Sequence, residues 1–473
     1  MSRATHPQIS FADLAFIEQG VQLEPTLQGI AAFLDTQAAL VEGVRRDLVR
    51  GLKTPTTGRP GVTAPQVLRS LILMRVKNWD YRELRERIAD GYTLRHFTQF
   101  ESHRVPKHDA FNRAFNRLAP ETLQAVNDAV IQAAVDLGLE DGTKLRVDTT
   151  VVETDIHHPT DNTLLWDSVR VITRLVRQLD DLLPAGVGSF TNRTRAARRR
   201  MQEIQRMTAR ARHTQQVPTY RALIRVAEQV VTAARAVVKR PRRPAGDLLT
   251  RVAIEAKQQE ITRHCDLADR VISQTRRRVL HGEQVPTEDK IYSIFETHTD
   301  LIKRGKVLKP VEFGHKVFLA ESGRGLITQY RVLTGNPADQ GHVTPSLDCH
   351  AERFGQAPDL YSSDRGFFNE ANIAACHAAG VKLTCIPQSG GTRSAEREAL
   401  ETSRAFKRGQ RFRAGIEGRI SVLFRGRGMK RALVEGREHF ELLIGAAVLA
   451  NNLMVIANLL RRTPADRRRP AAA

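Results

Sequence analysis

The stretch KLRVDTTVVETDIHHPTDN, residues 144–162, decides how the rest of this chain is interpreted. It begins as a short apolar β-strand that carries Asp148 in its second half, and three more acids and two histidines follow. A carboxylate on a buried strand is costly unless it is paired, protonated or bound to a metal ion. Which of these applies depends on residues that lie far from Asp148 in the sequence.

The composition predicts a folded protein with a polyanionic partner. A chain of 473 residues is too long for one ordinary core, so we expect two or three domains, and an apolar content of 41% is ample for them. The formal net charge of +21 favours nucleic acid as the partner, because Lys and Arg gain affinity by releasing condensed counterions. The alternative is a basic surface kept for solubility.

Cysteine spacing and hydropathy indicate a cytoplasmic protein. The four cysteines (positions 265, 349, 376 and 385) form no CxxC pair, which favours reduced thiols over structural zinc. The N-terminus lacks the long apolar core of a signal peptide. Residues 442–460 approach the length of a membrane span but contain three asparagines, so we predict a buried core helix and no membrane.

Residues 1–140 are predicted to form a helical N-terminal domain that binds DNA ends. Pro65 suits a first helical turn, and Asp80 followed by Glu83 is typical of a capping box. A later helix is predicted to carry Leu123, Val126, Val130 and Leu137 on one side. Helices at this spacing form either a helix-turn-helix or simply a core.

Residues 164–290 are predicted to form an Arg-rich helical insertion. Between positions 193 and 243 there are fourteen arginines and one lysine, against two glutamates. The runs at 193–200 and 238–244 bind phosphates without reading bases if they face a duplex, with Arg198, Arg199 and Arg200 as the candidate contacts. The alternative is a solvated helix face.

The rest of the chain predicts an α/β sheet that is interrupted by this insertion. Residues 141–163 supply its first strand, and residues 291–462 add a hairpin, then a helix, a strand, a helix and a strand. The tail, residues 463–473, is predicted to be a disordered basic segment.

Acids from distant parts of the chain are predicted to meet at this sheet. If LRVDTT and LYSSDRG are neighbouring strands, Asp148 and Asp364 lie close together, and both ionise only with a cation between them. Magnesium suits such oxygen-only sites, and two ions clamp both oxygens of a phosphoryl displacement. Glu417, on a predicted helix rich in arginine, is the third candidate ligand.

Other polar residues near these acids could bind metal or phosphate, but simpler roles are also open to them. His157 and His158 are adjacent on an extended chain, so they point in different directions and favour a contact to DNA or to the scaffold over metal ligation. His315 and Lys316 lie within a predicted strand, where alternation turns one of them toward the acids. We favour Lys316 as the phosphate contact.

Taken together, the motifs VDTTVVETDIHHPTD, PVEFGHKV, LYSSDRGF and RAGIEGRISVLFRGRGMKRA resemble those of the bacterial insertion-sequence DDE transposases, in their order. The N-terminal motifs VLRSLILM and YRELRERIAD, and ANNLMVIANLL near the end, resemble the same group. Together they span most of residues 60–460, and the ISNCY-like branch is the most similar.

The resemblance implies a ribonuclease-H-like core in which Asp148, Asp364 and Glu417 bind two magnesium ions, with manganese as a substitute. It implies hydrolysis at a transposon end followed by strand transfer to target DNA. Related enzymes carry a Tyr-Arg-Glu-Lys signature. Arg413 and Glu417 match it, whereas the tyrosine's place holds Gln410, and the role of the lysine falls to Arg425 or Lys430.

The implied partners are double-stranded DNA, at the terminal inverted repeats and at the target, and further copies of the chain in a homodimer or larger assembly on DNA. The implied location is the nucleoid of a bacterial cytoplasm. Two alternatives stay open: a structure-specific nuclease on the same fold, and a catalytically inactive transposase-derived DNA-binding protein.

Overall fold

A computed structural model describes residues 22–53, 61–240, 247–303 and 310–462. The predicted basic tail, together with Arg242 and Arg243 of the second basic run, lies outside the described residues. The chain forms two compact units. The first consists of residues 1–154 and 314–473, and the second of residues 155–313, so the second unit interrupts the first in sequence.

Within the described residues, seven helices precede the first strand of the first unit, and the apolar periodicity predicts helices in this region. Thr63 and Gln66 form a reciprocal capping box at the start of the third, with Pro65 in its first turn, and the Asp80 side chain accepts hydrogen bonds from two backbone amides at the start of the fourth. The helices are α1 (Pro25–Thr36), α2 (Leu40–Val49), α3 (Ala64–Lys77), α4 (Tyr81–Asp90), α5 (Tyr92–Phe97), α6 (His108–Phe115) and α7 (Pro120–Asp136).

One prediction about α7 is wrong. Leu123, Val126 and Val130 are buried on one side of the helix, but Leu137 is 51% exposed. The helix ends at Asp136, so Leu137 is its C-cap and no longer continues the apolar stripe.

The N-terminal helices pack around the last helix of the chain. This helix, α16 (Arg437–Arg461), is long and apolar enough to cross a membrane. However, 83% of its apolar stretch of 18 residues is buried inside the protein. Its buried side includes Leu449, Leu453 and Ile456, which share one core with α1 to α7. The prediction of a buried core helix is confirmed.

A mixed sheet follows these helices in the chain. Its strands are β1 (Lys144–Thr154), β2 (Asp300–Lys303), β3 (Val311–Ser322), β4 (Ile327–Val332), β5 (Leu360–Ser362), β6 (Leu383–Cys385) and β7 (Arg431–Ala432). The order is β2-β3-β1-β5-β6, with β4 paired to β3 and β7 paired to β1. β3 runs antiparallel to β1 and β4, whereas β5 is parallel to β1 and β6.

Side-chain alternation gives the sheet two buried faces. Leu145 and Val147 of β1 join Phe318 in a core with α12 (Val343–Phe354) and α13 (Glu370–Ala378). Val152 and Leu319 lie on the opposite face, in a core with α16 and with the helix α15 (Arg404–Gly426). A short helix, α14 (Ala395–Thr402), precedes α15.

A buried carboxylate attaches α15 to the sheet. Glu321 on β3 has a fully buried side chain that accepts a 2.8 Å hydrogen bond from Nε of Arg146 on β1 and another from Nε of Arg419 on α15. Arg146 Nη1 also donates to the Phe412 carbonyl at 2.6 Å. Charge-assisted bonds of this kind are directional, so they fix the position of the helix on the strand.

The second unit is a helical bundle that contains the predicted Arg-rich insertion. Its helices are α8 (Asp161–Leu182), α9 (Thr194–Arg206), α10 (Ala209–Lys239) and α11 (Leu248–Thr275), and α11 continues into a π-helical turn, Arg276–Leu280. Leu165, Leu223 and Ala268 are among the residues of its own apolar core.

We expect Glu321→Ala to lower the free energy of unfolding of the first unit by about 3–5 kcal/mol, because it leaves the buried Arg146 and the partly buried Arg419 without their counter-ion. Urea titration measures this. Trp79 lies in the first unit and Trp166 in the second, so a Trp166→Phe background makes tryptophan fluorescence report the first unit. The exposed Glu396 provides the control Glu396→Ala, with an expected change within about 0.5 kcal/mol. Equal effects of the two variants would contradict this role.

Candidate active site

Strand register places Asp364 beside Asp148. The last parallel pair between β1 and β5 is Arg146 with Ser362, and each aspartate lies two residues beyond its member of that pair. β1 is longer than its apolar start suggests, so Asp148 lies near its middle, just past the end of β5. The predicted proximity of these two acids follows from this register.

Backbone amides orient both aspartates. Asp148 Oδ1 accepts a hydrogen bond from the Thr149 amide at 2.7 Å. Asp364 Oδ1 accepts one from the Gly366 amide at 2.9 Å and thereby caps the short 3-10 turn Arg365–Phe367. The side chains are exposed to different degrees, 13% for Asp148 and 39% for Asp364.

Helix α15 contributes the third acid and an arginine that contacts all three. Arg413 Nη1 bonds to Glu417 Oε1 at 2.9 Å, one helical turn away. Arg413 Nη2 lies 3.6 Å from Asp148 Oδ2 and 3.9 Å from Asp364 Oδ2. Glu417 is the most exposed of the acids, at 65%. The three predicted acids therefore converge on one guanidinium.

The close approach of α15 to the sheet depends on small and amide side chains. A Cβ on Gly409 would overlap Cys385, and a Cβ on Gly415 would overlap the guanidinium of Arg146. Gln410 donates hydrogen bonds to the carbonyls of Ser363 and Cys385 at 3.2 and 2.6 Å. It therefore connects the helix to the ends of β5 and β6.

The environment of Asp148 disfavours its charge. The pKa of Asp148 is raised from 3.8 to about 6: burial is the largest cause and the negative charges of Asp364 and Asp339 act in the same direction, whereas Arg413 and the Thr149 amide offset part of the rise. A carboxyl with a perturbed pKa beside other acids is typical of a functional site.

The chemistry of these side chains fits a hard divalent cation, because the three acids supply only carboxylate oxygens. Within the described ranges, however, no three His, Cys, Asp or Glu side chains already lie close enough together to hold a metal ion. Arg413 lies between the acids and supplies the positive charge at the place where they converge.

The other basic residues near Glu417 in the sequence, including the predicted DNA contacts Arg425 and Lys430, differ in their surroundings. Arg425 and Lys430 are exposed, near the end of α15 and after it. Arg427 is buried, where it donates to the Val76 carbonyl at 2.8 Å. Arg419 is held by Glu321 and Asn451, so it supports the fold.

Lys316 lies on the face of the sheet opposite Asp148. It shares that face with Phe318, and its ammonium group contacts Asp339 Oδ1 at 2.8 Å and the Pro337 carbonyl at 2.9 Å. The expectation that Lys316 turns toward the acids is therefore corrected, and its neighbour His315 lies on their side, against Phe440.

Sequence reasoning missed Asp339. It lies in the 3-10 turn Asp339–His342 before α12, and its Oδ1 accepts a 2.8 Å hydrogen bond from the hydroxyl of Thr149, the residue after Asp148. A Cβ on Gly366 would lie 3.3 Å from Asp339 Oδ2 and 3.0 Å from Asp364 Oδ1, so Asp339 and Asp364 both border this glycine. A lone aspartate in the segment GNPADQGH gave no signal of this position.

The two histidines after β1 belong to the second unit. His157 Nε2 lies 3.3 Å from Asp167 Oδ2, and the ring of His158 contacts Phe313 edge-on. These contacts are with the protein scaffold, which is one of the two roles, DNA contact or scaffold contact, that the sequence favoured over metal ligation.

The second unit also carries a basic surface of its own. Arg198 and Arg199 are exposed on α9, whereas Arg200 is half-buried and bonds to Glu203 at 2.8 Å. Further along the same region, Arg235 is bound by Asp266 and Asp269, and Arg240 donates to the Val187 carbonyl. The exposed arginines of α9 and the start of α10 are Arg195, Arg198, Arg199, Arg206, Arg210 and Arg212.

Comparison with protein families gives a match to the N-terminal part of the chain. A family model described as a transposase domain (DUF772) matches residues 18–117. A search of curated proteins and a search of solved structures each found no match. The match ends before β1 and includes none of the three acids. It supports a transposase family, which implies DNA binding.

We expect Asp148→Asn to stabilise the metal-free protein above pH 6. The unfolded chain releases this proton near pH 4 and the folded protein near pH 6, so the parent loses stability as the pH rises between the two values. A shift of about two pKa units corresponds to roughly 3 kcal/mol. Urea unfolding in EDTA, in the Trp166→Phe background, measures the difference between variant and parent.

This difference should be small near pH 4 and should grow toward pH 7. Asp359→Asn is the control, since Asp359 is an exposed aspartate outside the site. If the stabilities of parent and Asp148→Asn stay parallel from pH 4 to pH 7, burial does not disfavour the charge of Asp148.

Proposed function

We propose that this chain is a DDE transposase of a bacterial insertion sequence, of the ISNCY-like branch. It binds the terminal inverted repeats of the element, cuts the phosphodiester at the transposon end and joins the freed end to target DNA. The observation that carries the proposal is the convergence of Asp148, Asp364 and Glu417 on Arg413. These acids come from three separate segments and meet beside one sheet.

The sheet supports a ribonuclease-H-like core for this proposal. Strand β3 of a β-hairpin runs antiparallel to the central strand β1 on one side, and two short parallel strands continue the sheet on the other. Asp148 comes from the central strand, Asp364 follows its parallel neighbour, and Glu417 comes from a helix packed on one face. The transposase-domain match at residues 18–117 adds independent support.

In the proposed reaction the three acids would hold two magnesium ions, or manganese ions in their place. When bound, such ions supply an activated water and neutralise charge at the attacked phosphate. Arg413, Arg425 and Lys430 hold the phosphates of the DNA strand. Lys316, predicted as a further phosphate contact, lies on the opposite face of the sheet with its ammonium group at Asp339, so it is not one of these contacts.

DNA binding in this proposal has two further parts. The helices of residues 1–140 bind the transposon ends, and the exposed arginines of α9 bind the phosphate backbone without reading bases. The protein acts as a homodimer or larger assembly on DNA, in the nucleoid of the bacterial cytoplasm.

We expect Asp148→Asn, Asp364→Asn and Glu417→Gln each to abolish cleavage of a labelled transposon-end fragment in the presence of magnesium. The amides keep the shape of the side chains but lose the charge that a hard cation needs. Binding of the same fragment, measured by fluorescence anisotropy, should change little. Cleavage within about tenfold of the parent would remove that residue from the site.

The same assay separates transposition from simpler activities. Joining of the labelled end to a target plasmid is expected of the parent protein. A parent that cuts without joining would be a nuclease, and a parent that binds ends without cutting under any divalent metal would be a DNA-binding descendant.

We expect simultaneous Arg198→Ala, Arg199→Ala and Arg200→Ala to weaken binding of specific and random duplexes alike. The dependence of log affinity on log salt should flatten by roughly one unit for each phosphate that the variant no longer neutralises. Folding should survive, since exposed changes cost within about 0.5 kcal/mol, although the Arg200–Glu203 ion pair is also removed.

The charge-conserving triple change to lysine is the matched control. It should keep most of the affinity and the salt dependence, because lysine also neutralises phosphate. If the triple alanine variant binds random DNA normally but no longer prefers the transposon ends, this helix reads bases.

A further inference from the structure

Arg413 has surroundings unlike those of the other arginines on α15. Its side chain is 18% exposed and lies among three carboxylates, at 2.9, 3.6 and 3.9 Å from the nearest oxygen of each. Arg419, six residues on, is bound by the fully buried Glu321 and by Asn451. Arg411 is exposed to solvent.

The hydrogen bonding of Arg413 is incomplete. Only the contact with Glu417 is a hydrogen bond, since 3.6 and 3.9 Å exceed the range in which donors and acceptors bond. Its Nε is buried without a hydrogen-bond partner in the described part of the chain. A buried donor in this state costs free energy, so the guanidinium is held mainly by the charge of the acids. Other positive charge can therefore displace it.

We infer that Arg413 is the internal counter-ion of the acidic site, and that a divalent cation binds there in competition with it. This inference rests on the proposed function, because it takes the three acids as the metal ligands. In the metal-free protein Arg413 keeps Asp148, Asp364 and Glu417 together despite their repulsion. Entry of the cation requires the guanidinium to leave. Arg413 thus sets the metal affinity of the site.

Removal of Arg413 should tighten metal binding. An arginine beside an aspartate lowers the affinity of that carboxylate for a proton by about 10- to 1000-fold. The same positive charge also lowers the affinity of the carboxylate for a metal cation. We therefore expect Arg413→Gln to bind Mg²⁺ roughly tenfold or more tightly than the parent, measured by isothermal titration with MgCl₂ at constant ionic strength and without DNA. Arg411→Gln is the matched control, since it removes the same charge from the same helix and should leave the affinity nearly unchanged.

Thermal unfolding gives a second readout. Because a ligand stabilises the state that binds it, MgCl₂ should raise the Tm of Arg413→Gln more than it raises the Tm of the parent. Addition of Asp148→Asn to Arg413→Gln should abolish this gain. If Arg413 had a purely structural role, Arg413→Gln would have a lower Tm than the parent in EDTA. The increase in Tm caused by MgCl₂ would then be equal in the two proteins.

The outcomes separate this inference from the proposed function. If the parent binds Mg²⁺ and Arg413→Gln binds it equally or more weakly, the counter-ion role is wrong and the metal site stands. If none of the proteins binds Mg²⁺ or Mn²⁺ at any concentration that can be titrated, both the inference and the proposed metal site fail.

Discussion

The buried carboxylate of Glu321 is the constraint on which the candidate site depends. It accepts hydrogen bonds from Arg146 of the central strand and from Arg419 of α15, and Arg146 also binds the carbonyl of Phe412. Arg146 lies two residues before Asp148, and Phe412 directly precedes Arg413. The same bonds that hold the helix on the sheet therefore fix the separation between the strand's acid and the helix's arginine and glutamate. An ion-paired core of this kind contributes little net stability, but it defines one geometry because each charge must keep its partner.

Residues that attach α15 to the sheet and candidate functional residues are interspersed along this helix. Gly409, Gly415 and Arg419 contact the sheet or its arginine, whereas Arg413 and Glu417 lie one turn apart among the acids. In active sites, rigidly packed residues typically hold charged groups that repel one another. This repulsion lowers the stability of the fold, and the arrangement is kept because the reaction needs it. The raised pKa of Asp148 has the same origin, because burial and the neighbouring acids disfavour its charge.

Local patterns and strand pairing made part of this structure predictable. The parallel arrangement of LRVDTT and LYSSDRG was enough to place Asp148 beside Asp364, since both follow the last paired residues by two positions. Glu417 was a candidate from its place on an arginine-rich helix, but the resemblance was needed to support it, because a single acid on such a helix has no distinctive spacing. The side of the sheet on which Lys316 lies could not be derived, since it depends on which residues of β3 pack against which helices. The positions of Asp339 and Glu321 could not be predicted for a related reason. In the sequence each is an ordinary acid, and only tertiary contacts bring it next to its partners.

Charge balance in the site bears on the order of events if the proposed function holds. Three carboxylates and one guanidinium leave excess negative charge when the acids are ionised, and Asp339 is already neutralised by Lys316. A DNA phosphate that approaches this point is repelled, however strongly the basic surface of the second unit attracts the duplex elsewhere. Long-range attraction and local repulsion thus act on the same substrate. Cations must reach the acids before or together with the phosphate, and the arginine that they displace is then free to contact it.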